Sequence, residues 1–250
     1  MKKYLIANWK MHTTAREADS FLSSVTVVNN NNIEVGIAPP ATHLCTMREH
    51  AQSLNIKLGA QNMHESKCGA YTGEISALML REAGAEFVII GHSERRHFFH
   101  ETDVVLEKKI ETAVVEDIPF ILCVGETKAH RDAMKSEEVV KKQLAAVMTS
   151  LTSANIKECK IAYEPVWAIG TGQAASSDII EEMHGIIREE LIKLFGSEGE
   201  QMPILYGGSV GVDNLEGLLI IDNVDGTLVG RAALDPEAFN ELICITGESL

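Results

Sequence analysis

Nowhere does the 250-residue sequence hold an apolar run long enough to span a bilayer, and the opening MKKYLIANWKMH has too short an apolar stretch for a secretory signal. The chain is therefore expected to be soluble and cytoplasmic. Basic residues are in short supply: 22 Lys and Arg stand against 36 Asp and Glu, a formal net charge of −14. This argues against nucleic acid or an anionic membrane as partner, because both need basic faces. Any anionic small molecule must then be held locally. Cysteine is sparse and unpaired: Cys45, Cys68, Cys123, Cys159 and Cys244 are odd in number, scattered, and free of C-x-x-C spacing. Reduced thiols fit that pattern better than a disulfide framework or a zinc site. None of the nine histidines is spaced with carboxylates as a metal site requires. No Pro/Gly/Ser-rich linker or low-complexity stretch divides the chain. One domain of this length, with 45% hydrophobic content, points to a sandwich or an α/β barrel.

What the sequence does hold is alternation. Short, continuously apolar runs at Tyr4–Ala7, Val35–Ala38, Lys57–Ala60, Phe87–Ile90, Phe120–Val124, Ile161–Tyr163, Ile204–Tyr206 and Thr227–Val229 suit strands buried on both faces. Between them lie amphipathic segments such as Ala15–Val28, Asp103–Glu116, Glu137–Leu151 and Asp178–Phe195. The first opens on a capping box, Thr14-x-x-Glu17, and the last follows the N-cap candidates Ser176 and Ser177. Eight strand-then-helix units in one undivided chain predict an α/β fold, a single (β/α)8 barrel over residues 1–250. A doubly wound open sheet is the alternative. No fixed-period sequence repeat accompanies the regularity.

Polar residues gather where these strands end. Strand one runs into Asn8-Trp9-Lys10, strand three into Gln61-Asn62, and strand four into Gly91-His92-Ser93-Glu94-Arg95-Arg96. Strand five ends in Gly125-Glu126, strand six in Glu164, strand seven in Gly207-Gly208-Ser209 and strand eight in Gly230-Arg231. A parallel barrel brings all of these to one rim, the rim on which barrel enzymes place their sites.

Eight motifs in order carry a resemblance: ANWKM at 7–11, AQN at 60–62, GAYTGEIS at 69–76, IIGHSERR at 89–96, LCVGET at 122–127, AYEPVWAIGTG at 162–172, YGGSV at 206–210 and DGTLVG at 225–230. Over essentially its full length the sequence resembles the triosephosphate isomerases. The resemblance implies interconversion of dihydroxyacetone phosphate and D-glyceraldehyde 3-phosphate, without cofactor or metal, in a cytoplasmic homodimer of glycolysis and gluconeogenesis. It implies that Asn8 and Lys10 touch substrate, that His92 is the electrophile, and that Glu164 is the base. Phosphate would rest on backbone N–H groups at Gly170, Ser209, Gly230 and Arg231. Pro165, Val166 and Trp167 would form a hinge, Ala168, Ile169, Gly170, Thr171 and Gly172 the lid, and Gln173, Ala174 and Ala175 the far hinge. Tyr206 and Ser209 would hold the lid closed. Thr72 would reach from the Gly69–Glu74 loop toward the partner's active site.

The residue types suit the chemistry. Proton transfer between adjacent carbons of a hydroxy-ketone phosphate needs a base at carbon and a donor at the carbonyl as an enediolate forms. Glu164 at a strand end, desolvated under a closing lid, supplies the base, although a Glu in that position is more often solvated or ion-paired. The N–H groups of a short helix starting at Ser93 would keep His92 neutral. A core histidine hydrogen-bonded to backbone is the plain alternative. Lys10 supplies a fixed positive charge near the anionic substrate, with an ordinary surface lysine as the plain alternative. Glu94 is expected to pair with Lys10 or orient it, with a purely structural salt bridge as the alternative, and Cys123 to be a packed small side chain beside the site. Glycines at 207, 208 and 230 would let backbone N–H groups approach phosphate, helped by a short helix after Gly230. Two positions depart from the common family pattern: Gln173-Ala174-Ala175 stands for Lys-Thr-Ala, and Arg231 for a second Gly. Two rivals remain at this level, an aldolase using Lys10 as a Schiff base and a catalytically dead phosphate-binding scaffold.

Overall fold

The computed structural model describes residues 2–148, 151, 152, 156, 159–169 and 174–249. Its strands are β1 (Lys3–Asn8), β2 (Ile33–Ala38), β3 (Ile56–Ala60), β4 (Phe87–Ile90), β5 (Phe120–Val124), β6 (Cys159–Tyr163), β7 (Ile204–Tyr206) and β8 (Gly226–Val229). Each pairs in parallel with its sequence neighbour, and β8 returns to pair with β1, so the sheet closes into a barrel. That closure excludes the open sheet. The helices are α1 (Ala15–Leu22), α2 (Leu44–Ser53), α3 (Ala77–Ala83), α4 (Ser93–Phe98), α5 (Asp103–Val115), α6 (Lys128–Asp132), α7 (Ser136–Val147), α8 (Ser177–Phe195), α9 (Ser197–Gln201), α10 (Leu215–Leu219) and α11 (Pro236–Glu248). Short 3-10 turns cover Ala41–His43, Val166–Ala168 and Arg231–Leu234.

Strand alternation splits the core in two. One set of side chains, including Leu5, Ala7, Val88, Ile90, Leu122 and Ile161, packs outward against the helices. The other fills the barrel: Ile6, Ala38, Phe87, Ile89, Ile121, Cys123, Ala162, Leu205 and Leu228. Phe87 supplies the bulk for a whole quadrant, because a Cβ on Gly59 would lie 2.2 Å from its ring and one on Gly36 2.9 Å away. The large ring and the two vacant positions are one packing unit. At the strand N-termini Glu34 closes the barrel floor, bonded to Lys2 and Lys57 at 3.0 Å and to Lys160 at 3.2 Å, with the Lys160 ammonium 5.0 Å over the Tyr4 ring. The inward rows that begin with Tyr4 and Lys160 end, two steps further up each strand, in Asn8 and Glu164.

The Thr14–Glu17 capping box forms, with both reciprocal bonds in place. The helix it starts ends at Leu22, six residues before the expected Val28. Ser23 and Ser24 turn their hydroxyls back onto the Asp19 and Ser20 carbonyls, and a turn follows. Val25 and Val28 are buried from that irregular segment, so their spacing imitates a helical face. Ser176 does cap α8 in position, but without a side-chain hydrogen bond. Among the described residues no helix is long and apolar enough to cross a membrane.

Candidate active site

The end of β1 is shaped by a local bond. Asn8 Oδ1 accepts from the Lys10 N–H at 3.1 Å, and Lys10 takes a left-handed φ of 54°. The carbonyl so exposed is caught by Gln61 Nε2 at 2.8 Å, which also binds the Ala38 carbonyl and ties β1, β2 and β3 together at the rim. Trp9, wholly buried, anchors the same turn by donating to the Ala233 carbonyl at 3.0 Å. Lys10 Nζ then meets Glu94 Oε1 at 2.5 Å, the pairing expected from the sequence.

His92 caps α4. Its Nδ1 accepts from the Glu94 N–H at 3.2 Å, which leaves its single ring proton on Nε2. That atom faces Glu164 Oε1 at 3.0 Å, while Glu164 Oε2 accepts from the Ser93 N–H at 2.8 Å. Both carboxylate oxygens are therefore engaged from α4, although Glu164 comes from β6. Gly207 makes room for it, since a Cβ there would lie 2.9 Å from Glu164 Cγ. Burial pushes the Glu164 carboxyl up, but His92, the Ser93 N–H and Lys10 outweigh it and hold the group below the usual carboxylate range. For His92 burial pulls down, and the Glu164 charge, its hydrogen bond and Glu94 leave the net direction upward. This departs from a ring simply held neutral by its helix. The Glu94 N–H keeps Nδ1 bare, whereas the lift from Glu164 lasts only while the carboxylate stays beside the ring.

These groups open on one cavity of about 350 Å³, lined by Asn8, Lys10, His92, Glu164, Ile169, Ser209, Gly230 and Arg231 among others. With Gly207 and Gly208, which line it as well, ten of the residues singled out from sequence are thus brought to one hollow at the predicted rim. His12 lies there too, and sequence reasoning gave it no role. A family model described as triosephosphate isomerase matches residues 3–246. A protein named triosephosphate isomerase from Thermodesulfovibrio yellowstonii is 43% identical over 97% of this chain and 98% of its own. Namesakes from Finegoldia magna and Endomicrobium trichonymphae are 43% and 42% identical, at the same 97% and 98% coverage. The chain belongs to the triosephosphate isomerase family.

The remaining positions expected of a triosephosphate isomerase are distributed as follows. Pro165 leads into the 3-10 turn Val166–Ala168, in which Ala168 is buried. Gly170, Thr171, Gly172 and Gln173 lie outside the described residues; Ala174 is exposed and Ala175 buried. Tyr206 is fully buried, and burial raises its hydroxyl pKa against an opposing pull from the Ala175 and Ser209 N–H groups. Neither N–H reaches hydrogen-bonding geometry with it. Cys123 is buried, its thiol pushed well up by burial and by the adjacent Glu164, which suits packing and not nucleophilic attack. Thr72 lies away from this cavity, exposed on the Gly69–Glu74 loop.

One residue acquires a role that the sequence reading did not give it. Glu126, wholly buried, accepts from Tyr163 Oη at 3.1 Å and from Trp167 Nε1 at 2.8 Å, with Arg131 Nη1 at 3.3 Å balancing its charge. It therefore ties Trp167, in the 3-10 turn Val166–Ala168, to the end of β5. The available signals were its place at the end of strand five and an indole N–H in EPVW that needed an acceptor.

Proposed function

We propose that this chain interconverts dihydroxyacetone phosphate and D-glyceraldehyde 3-phosphate by proton transfer through an enediolate, with Glu164 as the base and His92 as the donor to the substrate carbonyl. The observation that carries the reading is the His92 Nε2 to Glu164 Oε1 contact of 3.0 Å at the wall of a cavity that also holds Lys10. Acid and base share one buried hydrogen bond, so a substrate entering between them takes one proton contact from each. Glu164, released from Ser93 and His92, would accept the carbon-bound proton. His92 would polarise the oxygen through the proton on Nε2 and recover it later, while Lys10 offsets the negative charge that develops. Backbone N–H groups around Ser209, Gly230 and Arg231 are the proposed phosphate seat. Closure of the segment at 165–175 would expel water and satisfy the Tyr206 hydroxyl. The test is a coupled assay of isomerisation in both directions; no turnover by the purified chain overturns the reading. A Schiff base on Lys10 is disfavoured by its short pairing to Glu94, and borohydride trapping of substrate on the protein would restore it.

We further infer a homodimer, with Thr72 of each copy near the other's site. Exposed apolar side chains on neighbouring segments, Met11, Tyr71, Met79, Phe98 and Phe99, support an apolar interface. A monomer by light scattering at micromolar concentration, with full activity, would refute it.

A further inference from the structure

Arg96 lies on α4 one turn beyond His92 and has no part in the chemistry above. Its guanidinium nevertheless spends all three nitrogens at the rim: Nε donates to the Gly91 carbonyl at 2.9 Å, Nη2 to the Cys123 carbonyl at 3.2 Å, and Nη1 to Asp103 Oδ1 at 2.7 Å. The reason lies in the sheet. The β4–β5 ladder stops at the Ile90–Leu122 pair, where Gly91, with φ 74°, turns the chain away. On its other side β5 stays paired with β6 through Cys123 and Val124. The Cys123 carbonyl therefore outlasts the strand that would have been its partner, and a buried acceptor left bare is costly. Arg96 supplies the missing rung.

That rung joins two chain ends that both bear on the catalytic pair. Gly91 runs directly into His92, whose Nε2 meets Glu164, and Cys123 sets its thiol against the same carboxylate. Slack between β4 and β5 would move the donor relative to the base and leave β7 and β8, the proposed phosphate seat, unaffected. We propose that Arg96 is a positioning residue for the isomerisation, its forked guanidinium replacing an absent β4–β5 rung and so fixing the distance between His92 and Glu164. This rests on the isomerase reading. A lysine cannot substitute, because one ammonium does not span three acceptors held in a plane.

The experiment compares the wild-type chain with Arg96→Lys and Arg96→Ala. A misplacement of about 1 Å between reacting groups is worth up to roughly 100-fold, so kcat is expected to fall about 10- to 100-fold. KM and inhibition by inorganic phosphate should stay within about twofold, since uniform binding is untouched. Glyceraldehyde without phosphate should lose the same factor in rate. Added guanidinium ion should restore part of the Arg96→Ala activity, and sodium chloride at equal ionic strength should not. The nitrogen NMR signals of the His92 ring, which need no turnover, should shift in both variants. If the wild-type chain proves inactive, the isomerase reading fails while the His92 signals still test the rung. If Arg96→Ala does not fold, Arg96→Lys decides alone. A folded Arg96→Lys protein with kcat within about twofold of wild type, or one that loses phosphate affinity in step with kcat, overturns the proposal.

Discussion

A carboxylate withdrawn from water is costly unless its oxygens are occupied, and Glu164 meets that requirement with donors from another element, the Ser93 N–H and His92 Nε2. The same bonds determine what its amide would do. In Glu164→Gln the side chain keeps its shape, but one end becomes an NH2 group facing a donor, because His92 cannot turn acceptor on Nε2 while Nδ1 receives the Glu94 N–H. Loss of a positioned base is worth roughly 10²–10⁴-fold, and kcat should fall by that much with KM within about threefold. Steady-state kinetics check this, and activity within about twofold of wild type would remove Glu164 from the mechanism. Asn8, Lys10, His92 and Glu164 were legible because each stands in a short local motif at a strand end. Glu126 was not, because its meaning comes mainly from Tyr163 and Trp167, which reach it from a segment some forty residues further along the chain, with Arg131 nearby balancing its charge. The upward pull on His92 was hidden for the same reason: a helix start is local, and a carboxylate from β6 is not.

Among the elements, β4, β5 and β7 coincide with their expected spans, since strands buried on both faces are marked by uninterrupted apolar runs. The others extend one or two residues further at one or both ends: some of the added positions are polar or glycine, such as Lys3, Asn8 and Gly226, which hydropathy does not mark but ladder bonding recruits, whereas β2 and β3 also gain the apolar Ile33 and Ile56. The closing of the barrel depends on complementary volumes that no single strand reveals. Gly36 and Gly59 are unremarkable in β2 and β3 until Phe87 of β4 is seen to occupy their side-chain space. Gly59→Ala should therefore overpack the interior and cost about 1–3 kcal/mol. Phe87→Leu in that background should recover part of the loss, although on its own it destabilises by opening a cavity. Urea unfolding of the four proteins measures the coupling. Additive effects of the two substitutions would show that the ring and the glycines are not one packing unit.

For the molecule as a whole, the response to acid depends on groups whose pKa differs between the folded and the unfolded chain. His184 is one such group. Its Nδ1 donates to the Asn223 carbonyl at 2.9 Å, and its Nε2 is buried with no partner, so a second proton would enter a site with no acceptor and beside Arg188. Burial first, then Arg188, against the Asn223 bond, brings its pKa down to about 4. In the unfolded chain the ordinary value of about 6.5 applies. Between these values the unfolded state binds the proton and the folded state does not, so stability rises with pH there and is lost as pH falls from about 6.5 to 4. The full window is worth on the order of 3 kcal/mol. Glu34, held down to about 2 against its own burial by Lys160, Lys2 and Lys57, adds a loss of the same sign in a lower window, as pH falls from its ordinary value toward 2. His92, raised in the folded state, acts in the opposite sense, so a wild-type curve alone mixes the two histidines. Comparison with His184→Gln separates them. At fixed protein concentration, which matters for any associating chain, the variant should be less stable at neutral pH, with a slope between about pH 4 and 6.5 smaller by nearly one proton. Denaturant unfolding at stepped pH gives both slopes directly, and equal slopes would show that His184 is not protonated on unfolding.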